Sequence, residues 1–149
     1  SMNLYEASFT PNDAGGVLQL GSQTLDMGPE VFGERPALRG YTGNVIVGIR
    51  PEDFEDASMV KEDTTGKRLN STVTLIEALG SELMVHFNID ARTVDSGDPD
   101  AVEEAESSAN AVGRFSPRST VRMRQDVTVA VATERMHFFD PETHLAIWE

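Results

Sequence analysis

The chain has 149 residues and no cysteine, and its 25 acidic residues against 12 lysines and arginines give a formal net charge of −13 at pH 7. This length suffices for one domain with a real core. No apolar run approaches the ~20 residues of a membrane-spanning helix. The acidic balance excludes nucleic acid and anionic lipid as direct partners, because both are bound through clustered Lys and Arg.

Short segments separated by turn residues make up the first forty positions. A first strand is expected over 3–10, followed by turn chemistry over 12–16. The pattern then predicts a hairpin of strands 17–20 and 23–27 around Gly21 and Ser22. Residues 28–40 contain Gly and Pro without a clear period, which indicates a loop with at most one helical turn.

A buried strand is expected over 43–50, GNVIVGIR, because its β-branched apolar run is typical of one. Gly48 interrupts the run, which indicates a bulge or a close backbone approach. Arg50 ends the strand, and Pro51 cannot donate to a ladder, so regular pairing should stop there. Glu52 and its acidic neighbours favour a structural ion pair for Arg50 rather than a catalytic role.

The middle of the chain carries the clearest strand pattern. After a polar turn over 61–70, a strand over 71–79 should place Val73, Leu75 and Glu77 on one face. Residues 83–90 then alternate strictly, with one face directed to the core. His86 falls on the wetter face, which predicts an ordinary surface histidine.

An acidic, Ala/Ser-rich segment over 94–110 breaks the strand pattern. Asp98 and Pro99 are a good helix start, and Asp100 with Glu103 is an alternative capping pair. A short helix over 101–107 would have a poor apolar side. We therefore expect an exposed, mobile insertion.

The last forty residues predict further short strands. A strand is expected over 111–115, a turn over 117–120, and a strand through the alternating valines that end at 131. Asp140 and Pro141 should form a turn, across which 135–139 would pair back with 144–148. Many short strands with turn signals indicate an all-β barrel or sandwich.

Three ordered motifs resemble one known family. They are GIRPE at 48–52, LGSE at 79–82 and HFFDPET at 137–143, and MNL at 2–4 resembles the start of the same domain. The match is to the C-terminal regulatory domain of ATP-binding subunits in carbohydrate-importing ABC transporters of the maltose and trehalose type. Asp53 departs from the family, where His is common, and His144 stands where Gly often closes the last turn.

The resemblance implies an OB-like barrel elaborated with extra strands, forming one regulatory domain over 1–149 cut from a longer ATPase subunit. Its motif residues are expected to be structural or regulatory: Gly48, Arg50, Pro51, Glu52, Gly80, Ser81, Glu82, Phe139, Asp140 and Thr143. Each motif brings one charge to a strand end. We therefore expect Arg50 to pair with Glu82, or failing that with Asp140.

Catalytic, cofactor and metal sites are not expected. The chain has no G-x-x-x-x-G-K-[ST] phosphate loop and no poised carboxylate pair, and His86, His137 and His144 lack a metal-ligand spacing. Phe138, Phe139 and Trp148 could form a sugar-stacking platform, but core positions are the stronger expectation.

The resemblance implies a regulatory domain that is not itself an enzyme. Its expected partners are its own nucleotide-binding domain, a second copy of the subunit, the permease subunits through the parent chain, and an inhibitory protein or small effector. It should lie in the cytoplasm on the inner face of the membrane. The alternative is a free-standing carbohydrate- or effector-binding module, and its support is analogy with other proteins of the same fold.

Overall fold

The computed structural model describes residues 2–94 and 109–148. Strands dominate this part of the chain, and they form two five-stranded antiparallel sheets. The strands are β1 (Asn3–Asn12), β2 (Gly15–Leu20), β3 (Gln23–Met27), β4 (Gly43–Ile49), β5 (Phe54–Asp56), β6 (Arg68–Leu79), β7 (Glu82–Phe87), β8 (Ala111–Phe115), β9 (Asp126–Val131) and β10 (His137–Phe139).

The first sheet has the order β10-β4-β1-β2-β3. Its β2–β3 hairpin turns at Gly21, whose φ of 63° is in the left-handed region that glycine tolerates, as the sequence predicts. The interior strand β4 pairs on one side with β1 and on the other with β10. This interior position agrees with its apolar composition, since its residues from Val45 to Ile49 are all buried.

The second sheet has the order β5-β9-β6-β7-β8 and curls into a nearly closed barrel. Its two edge strands approach each other, and the Ser116 backbone N–H donates to both carboxylate oxygens of Glu55, at 3.1 and 3.2 Å. The expected OB-like barrel with extra strands is confirmed. The first sheet supplies the extra strands.

One face of β6 differs from the prediction. The β6–β7 register shifts between Val73 and Leu75, so the strand contains an irregularity that reverses its inward face. Val73 is buried, but beyond the shift Ile76 packs against the core opposite Val85, and Glu77 is exposed. The expected common face of Val73, Leu75 and Glu77 is therefore wrong.

The expectation of a surface histidine at position 86 is also wrong. His86 is buried, and its Nε2 lies 2.8 Å from Oε1 of Glu77 on the neighbouring strand. The register places Leu75 directly opposite His86, so Glu77 reaches it diagonally across the β6–β7 ladder. Alternation in the sequence shows that His86 lies on the opposite face from Val85 and Phe87, but it does not predict whether other residues cover that face.

The two sheets are joined through side chains of β1. The Asn3 amide donates to the Ile49 carbonyl at 2.8 Å and to the Val112 carbonyl at 3.2 Å, and its oxygen accepts from the Val112 N–H at 3.0 Å. The Tyr5 hydroxyl donates to the Asn110 carbonyl at 2.7 Å. One cluster of buried apolar residues extends across both sheets.

Helical structure in the described part of the chain is brief. The region 28–40 contains a single turn, α1 (Val31–Glu34), and a 3-10 turn (Pro36–Gly40), close to the predicted loop. None of the helices in residues 2–94 and 109–148 has the length and apolar character needed to cross a membrane. The expected helix over 101–107 and most of the 94–110 insertion lie outside the described residues.

The last turn follows the predicted chemistry. The Asp140 carboxylate accepts from the Glu142 and Thr143 backbone N–H groups at 2.8 and 3.0 Å. The expected hairpin is shorter than predicted, with a single bridge between Phe139 and Ala146 beyond the turn. His144 adopts a φ of 61°, which explains why glycine suits this position.

Candidate functional site

The first and third motifs meet on the first sheet. β4 pairs with β10 so that His137 lies opposite Gly48. The register of β4 with β1 is continuous at Gly48, so there is no bulge here. A Cβ at this position would collide with the Met2 sulfur, which belongs to a side chain, so the expected close backbone approach is also wrong.

A buried carboxylate lies directly after the first motif. Pro51 begins a 3-10 turn that ends at Asp53, whose carbonyl accepts from the Ala132 N–H at 2.9 Å. The Asp53 carboxylate is buried, and its described partner is Arg135, at 3.9 Å. Burial raises the pKa of Asp53, and the neighbouring Glu52 raises it further, while Arg135 and Arg50 only partly oppose this. A negative charge is therefore held here at an energetic cost.

Arg50 does not form the ion pair that the motifs suggest. It is exposed, and no carboxylate of residues 2–94 or 109–148 lies within ion-pair distance. Burial lowers the pKa of His137, and the positive charge of Arg50 lowers it further. The expectation of an Arg50–Glu82 or Arg50–Asp140 pair is wrong.

Glu82 belongs to the second sheet and pairs there with Arg114, with 2.7 Å between Arg114 Nε and Glu82 Oε2. β7 and β8 are adjacent, and Met84 lies opposite Arg114, so Glu82 reaches the arginine diagonally. Gly80 has a φ of 61° and turns the chain with Ser81 between β6 and β7. The second motif thus builds a hairpin that is separate from the other two motifs.

The remaining motif residues shape the chain end. Asp140 is half-buried, and the backbone hydrogen bonds from Thr143 and Glu142 lower its pKa. The Thr143 hydroxyl accepts from the Leu145 N–H at 3.2 Å. Phe139 is half-buried and lies opposite Ile46 on β4. These residues order the turn that leads to Trp148.

The structure reveals a cation–π cluster of one arginine and two aromatic rings, which the sequence patterns did not predict. The Arg35 side chain is only 7% exposed, and its guanidinium carbon lies 4.9 Å from the Trp148 ring centroid and 5.7 Å from that of Phe138. The nearest carboxylate is the exposed Glu34, at 3.7 Å. Burial lowers the pKa of Arg35, and Glu34 only partly opposes this.

Two expectations about aromatic residues have different outcomes at this cluster. Phe138 is a core residue, as predicted, but Trp148 is 47% exposed. Nothing in the local pattern around Arg35 signals its stacking on a residue more than a hundred positions later, so only the tertiary structure could reveal it.

Six carboxylates surround a pocket of about 260 Å³ beside Asp53. They belong to Glu52, Asp53, Glu55, Glu62, Asp63 and Glu134. Val60 and Val131 also line the pocket. We call this the acidic pocket. Within the described residues, no group of His, Asp or Glu side chains has an arrangement that could hold a metal ion.

Comparison with known proteins places the chain among transport subunits. It is 31% identical to the oligosaccharides import ATP-binding protein MsmX of Bacillus subtilis, and 32% identical to the trehalose/maltose import ATP-binding protein MalK of Thermococcus litoralis, over 99% of the chain in both cases. It is also 31% identical over 96% of its length to the trehalose import ATP-binding protein SugC of Mycobacterium tuberculosis. The chain is therefore homologous to one part of these sugar-import ATP-binding proteins.

The match covers a part of each relative. The chain spans 34% of MsmX and MalK and 37% of SugC, so it corresponds to about a third of such a subunit. No protein-family model matches the chain. Among solved structures, the cytoplasmic molybdate-binding protein ModG aligns over 93% of this chain and 96% of its own, with a TM-score of 0.52 and 12% identity. That likeness shows the fold alone.

The first prediction concerns the ion pair of Glu82. Glu82→Ala and Arg114→Ala should show a coupling of about 0.2–1 kcal/mol in thermal melts, as half-exposed pairs do. Arg50→Ala with Glu82→Ala should be additive within about 0.3–0.5 kcal/mol. Coupling of Glu82 to Arg50 instead would contradict the observed pairing.

The second prediction concerns Arg35. Arg35→Lys should lower the stability by about 1 kcal/mol, because a compact ammonium group covers the two rings less well than a planar guanidinium. Trp148, the single tryptophan, should become more accessible to acrylamide quenching. Arg39→Lys is the matched control, since Arg39 lies over Phe32, 4.6 Å from its ring centroid. Equal quenching in both variants would show that Arg35 does not cover Trp148.

Proposed function

We propose that this chain is the C-terminal regulatory domain of the ATP-binding subunit of an ABC sugar importer. In this role two copies of the domain contact each other and keep the two ATPase halves associated while those open and close. The domain also offers a surface on which an inhibitory protein or a small effector can bias the cycle. Such coupling requires only that a docking surface be linked to a two-state dimer.

The observation that carries the proposal is the extent of the match. Import ATP-binding proteins align with nearly the whole of this chain, yet the aligned part is about a third of their length. A part of that size that folds as a β-barrel matches an accessory domain rather than a complete subunit. The partners of the proposed domain are its own nucleotide-binding domain, a second copy, and the permease subunits reached through the parent chain, on the cytoplasmic side of the membrane.

A free-standing carbohydrate-binding module is the second candidate. Its specific support is the half-exposed Trp148 ring, which resembles a stacking platform. Arg35 already lies over that ring, so one face would be occupied before a sugar arrived. We therefore favour the regulatory role.

The third prediction follows from the missing phosphate loop. Titration of the chain with Mg-ATP in a calorimeter should give no heat of binding, because nothing in the sequence provides the loop and lysine that cradle the phosphates. The whole subunit that contains this domain is the positive control. Micromolar affinity of the isolated chain for Mg-ATP would contradict the proposal that the nucleotide binds to another part of the subunit.

The fourth prediction tests the proposed function itself. The nucleotide-free subunit should sediment as a dimer when it contains this domain, because the domains hold the halves at high effective concentration. The same subunit without residues 2–148 should dissociate to monomers and dimerise only with ATP. A dimer that is equally stable with and without the domain would count against the proposed role.

A further inference from the structure

Three arginines on one loop have no partner in the described part of the chain. The loop, residues 116–125, connects β8 to β9 and carries Arg118, Arg122 and Arg124; we call it the basic loop. No carboxylate of the described residues lies within ion-pair distance of any of them. Met123 lies among them and is 54% exposed. In a chain of net charge −13, positive charge that no carboxylate of residues 2–94 or 109–148 balances favours a negatively charged partner.

The backbone of the basic loop is firmly held. The Arg124 N–H donates to the Val73 carbonyl at 2.7 Å, and the Val73 N–H donates to the Gln125 carbonyl at 3.0 Å. The Ser119 hydroxyl donates to the Asp56 carboxylate at 2.6 Å. Arg124 keeps a φ of 68°, an unusual conformation for arginine. A preorganised loop loses little entropy when a partner binds it.

The acidic pocket has the complementary character. Among the described residues, Glu52, Glu62 and Glu134 accept no hydrogen bond, and the Asp53 carboxylate has Arg135 at 3.9 Å, whereas Glu55 and Asp63 already accept from backbone N–H groups. Asp53 is buried at 6% exposure, so it is a deep acceptor rather than a solvated surface group. A guanidinium presents five donors in a plane and suits several carboxylates at once. Lys67 also lines the pocket but is a single charge against six carboxylates.

The later part of the basic loop, which carries Arg122 and Arg124, precedes one end of β9, and the pocket lies at the other end, while the first loop residue, Ser116, donates to the Glu55 carboxylate. The basic loop leads into β9 at Asp126, and the pocket is lined by Ala130 and Val131 where β9 ends. Five residue steps separate these ends, about 17 Å at the usual rise of a strand. Between them, Asn70 of β6 and Thr128 of β9 line a shallow polar groove. A two-fold axis through the middle of this face would bring each loop to the other copy's pocket.

We infer that two copies of this chain associate across β9, the basic loop of each copy placing an arginine in the acidic pocket of the other. The occupant is a second copy because one chain carries both complementary surfaces. Reciprocal contact also satisfies the symmetry of a closed dimer. This inference rests on the proposed function, in that it assigns residues to the contact between two regulatory domains.

A charge-exchange experiment tests the inference. Arg122→Glu and Glu62→Arg, both at exposed positions, should each weaken self-association of the chain by about tenfold or more in sedimentation equilibrium. An equimolar mixture of the two variants should recover the wild-type constant within about threefold. In that mixed dimer one contact is exchanged and the other is native. Arg92→Glu, at an 80% exposed position away from both surfaces, is the control for net charge and should behave as wild type.

A second measurement uses the absence of cysteine. When Arg122→Cys and Glu62→Cys chains are mixed under mild oxidation, the mixed disulfide should exceed both homodimeric disulfides. Wild-type-like association of both charge variants, or a random distribution of disulfides, would overturn the inference while leaving dimer contact intact. Failure of the wild-type chain to associate at the highest concentration reached would also overturn it. The proposed function fails separately, if removal of the domain leaves the nucleotide-free subunit dimeric.

Discussion

The fold depends on one buried amide near the start of the chain. Asn3 uses both N–H donors on carbonyls of different sheets, Ile49 of β4 and Val112 of β8, and its oxygen takes the Val112 N–H. Loss of this side chain would remove three buried hydrogen bonds between the sheets, at about 0.5–1.5 kcal/mol for each bond. The amide therefore fixes how the first sheet sits on the barrel. Asn110 supports the same junction. Its side-chain oxygen accepts from the Ile89 N–H at 2.8 Å, and its backbone carbonyl accepts from the Tyr5 hydroxyl.

Much of this architecture could be predicted from local patterns. The hairpin at Gly21, the strand before Arg50 and the turn at Asp140 each depend on chemistry within a few residues, and each is present in the structure. The order of the motifs then identified the fold, because a family resemblance carries information about long-range pairing that composition and periodicity do not contain. The acidic insertion, by contrast, lies outside the described residues.

Several of the expectations that were wrong concern pairings between distant positions. Glu82 pairs with Arg114 rather than with Arg50 because the β7–β8 pairing brings Arg114 near it. The spacing of the motifs in the sequence does not predict that pairing. A register shift at Val73 turned Glu77 toward His86. Arg35 lies in a segment without periodicity and stacks on Trp148 from the other end of the chain. Strand alternation predicts faces only where the strand is regular, and it cannot predict what covers a face.

The central claim is that the domain holds two ATPase halves together while they change conformation. A barrel with charged surfaces at both ends of β9 is suited to a contact that persists, and the proposed function requires this while the ATPase halves separate and close. The direct measurement is the distance between spin labels placed at Arg92→Cys in the two copies of the whole subunit, where the side chain is exposed. The account predicts one narrow distance that is the same with and without ATP. A distance that changes with nucleotide, or a pair that separates when ATP is absent, would contradict it.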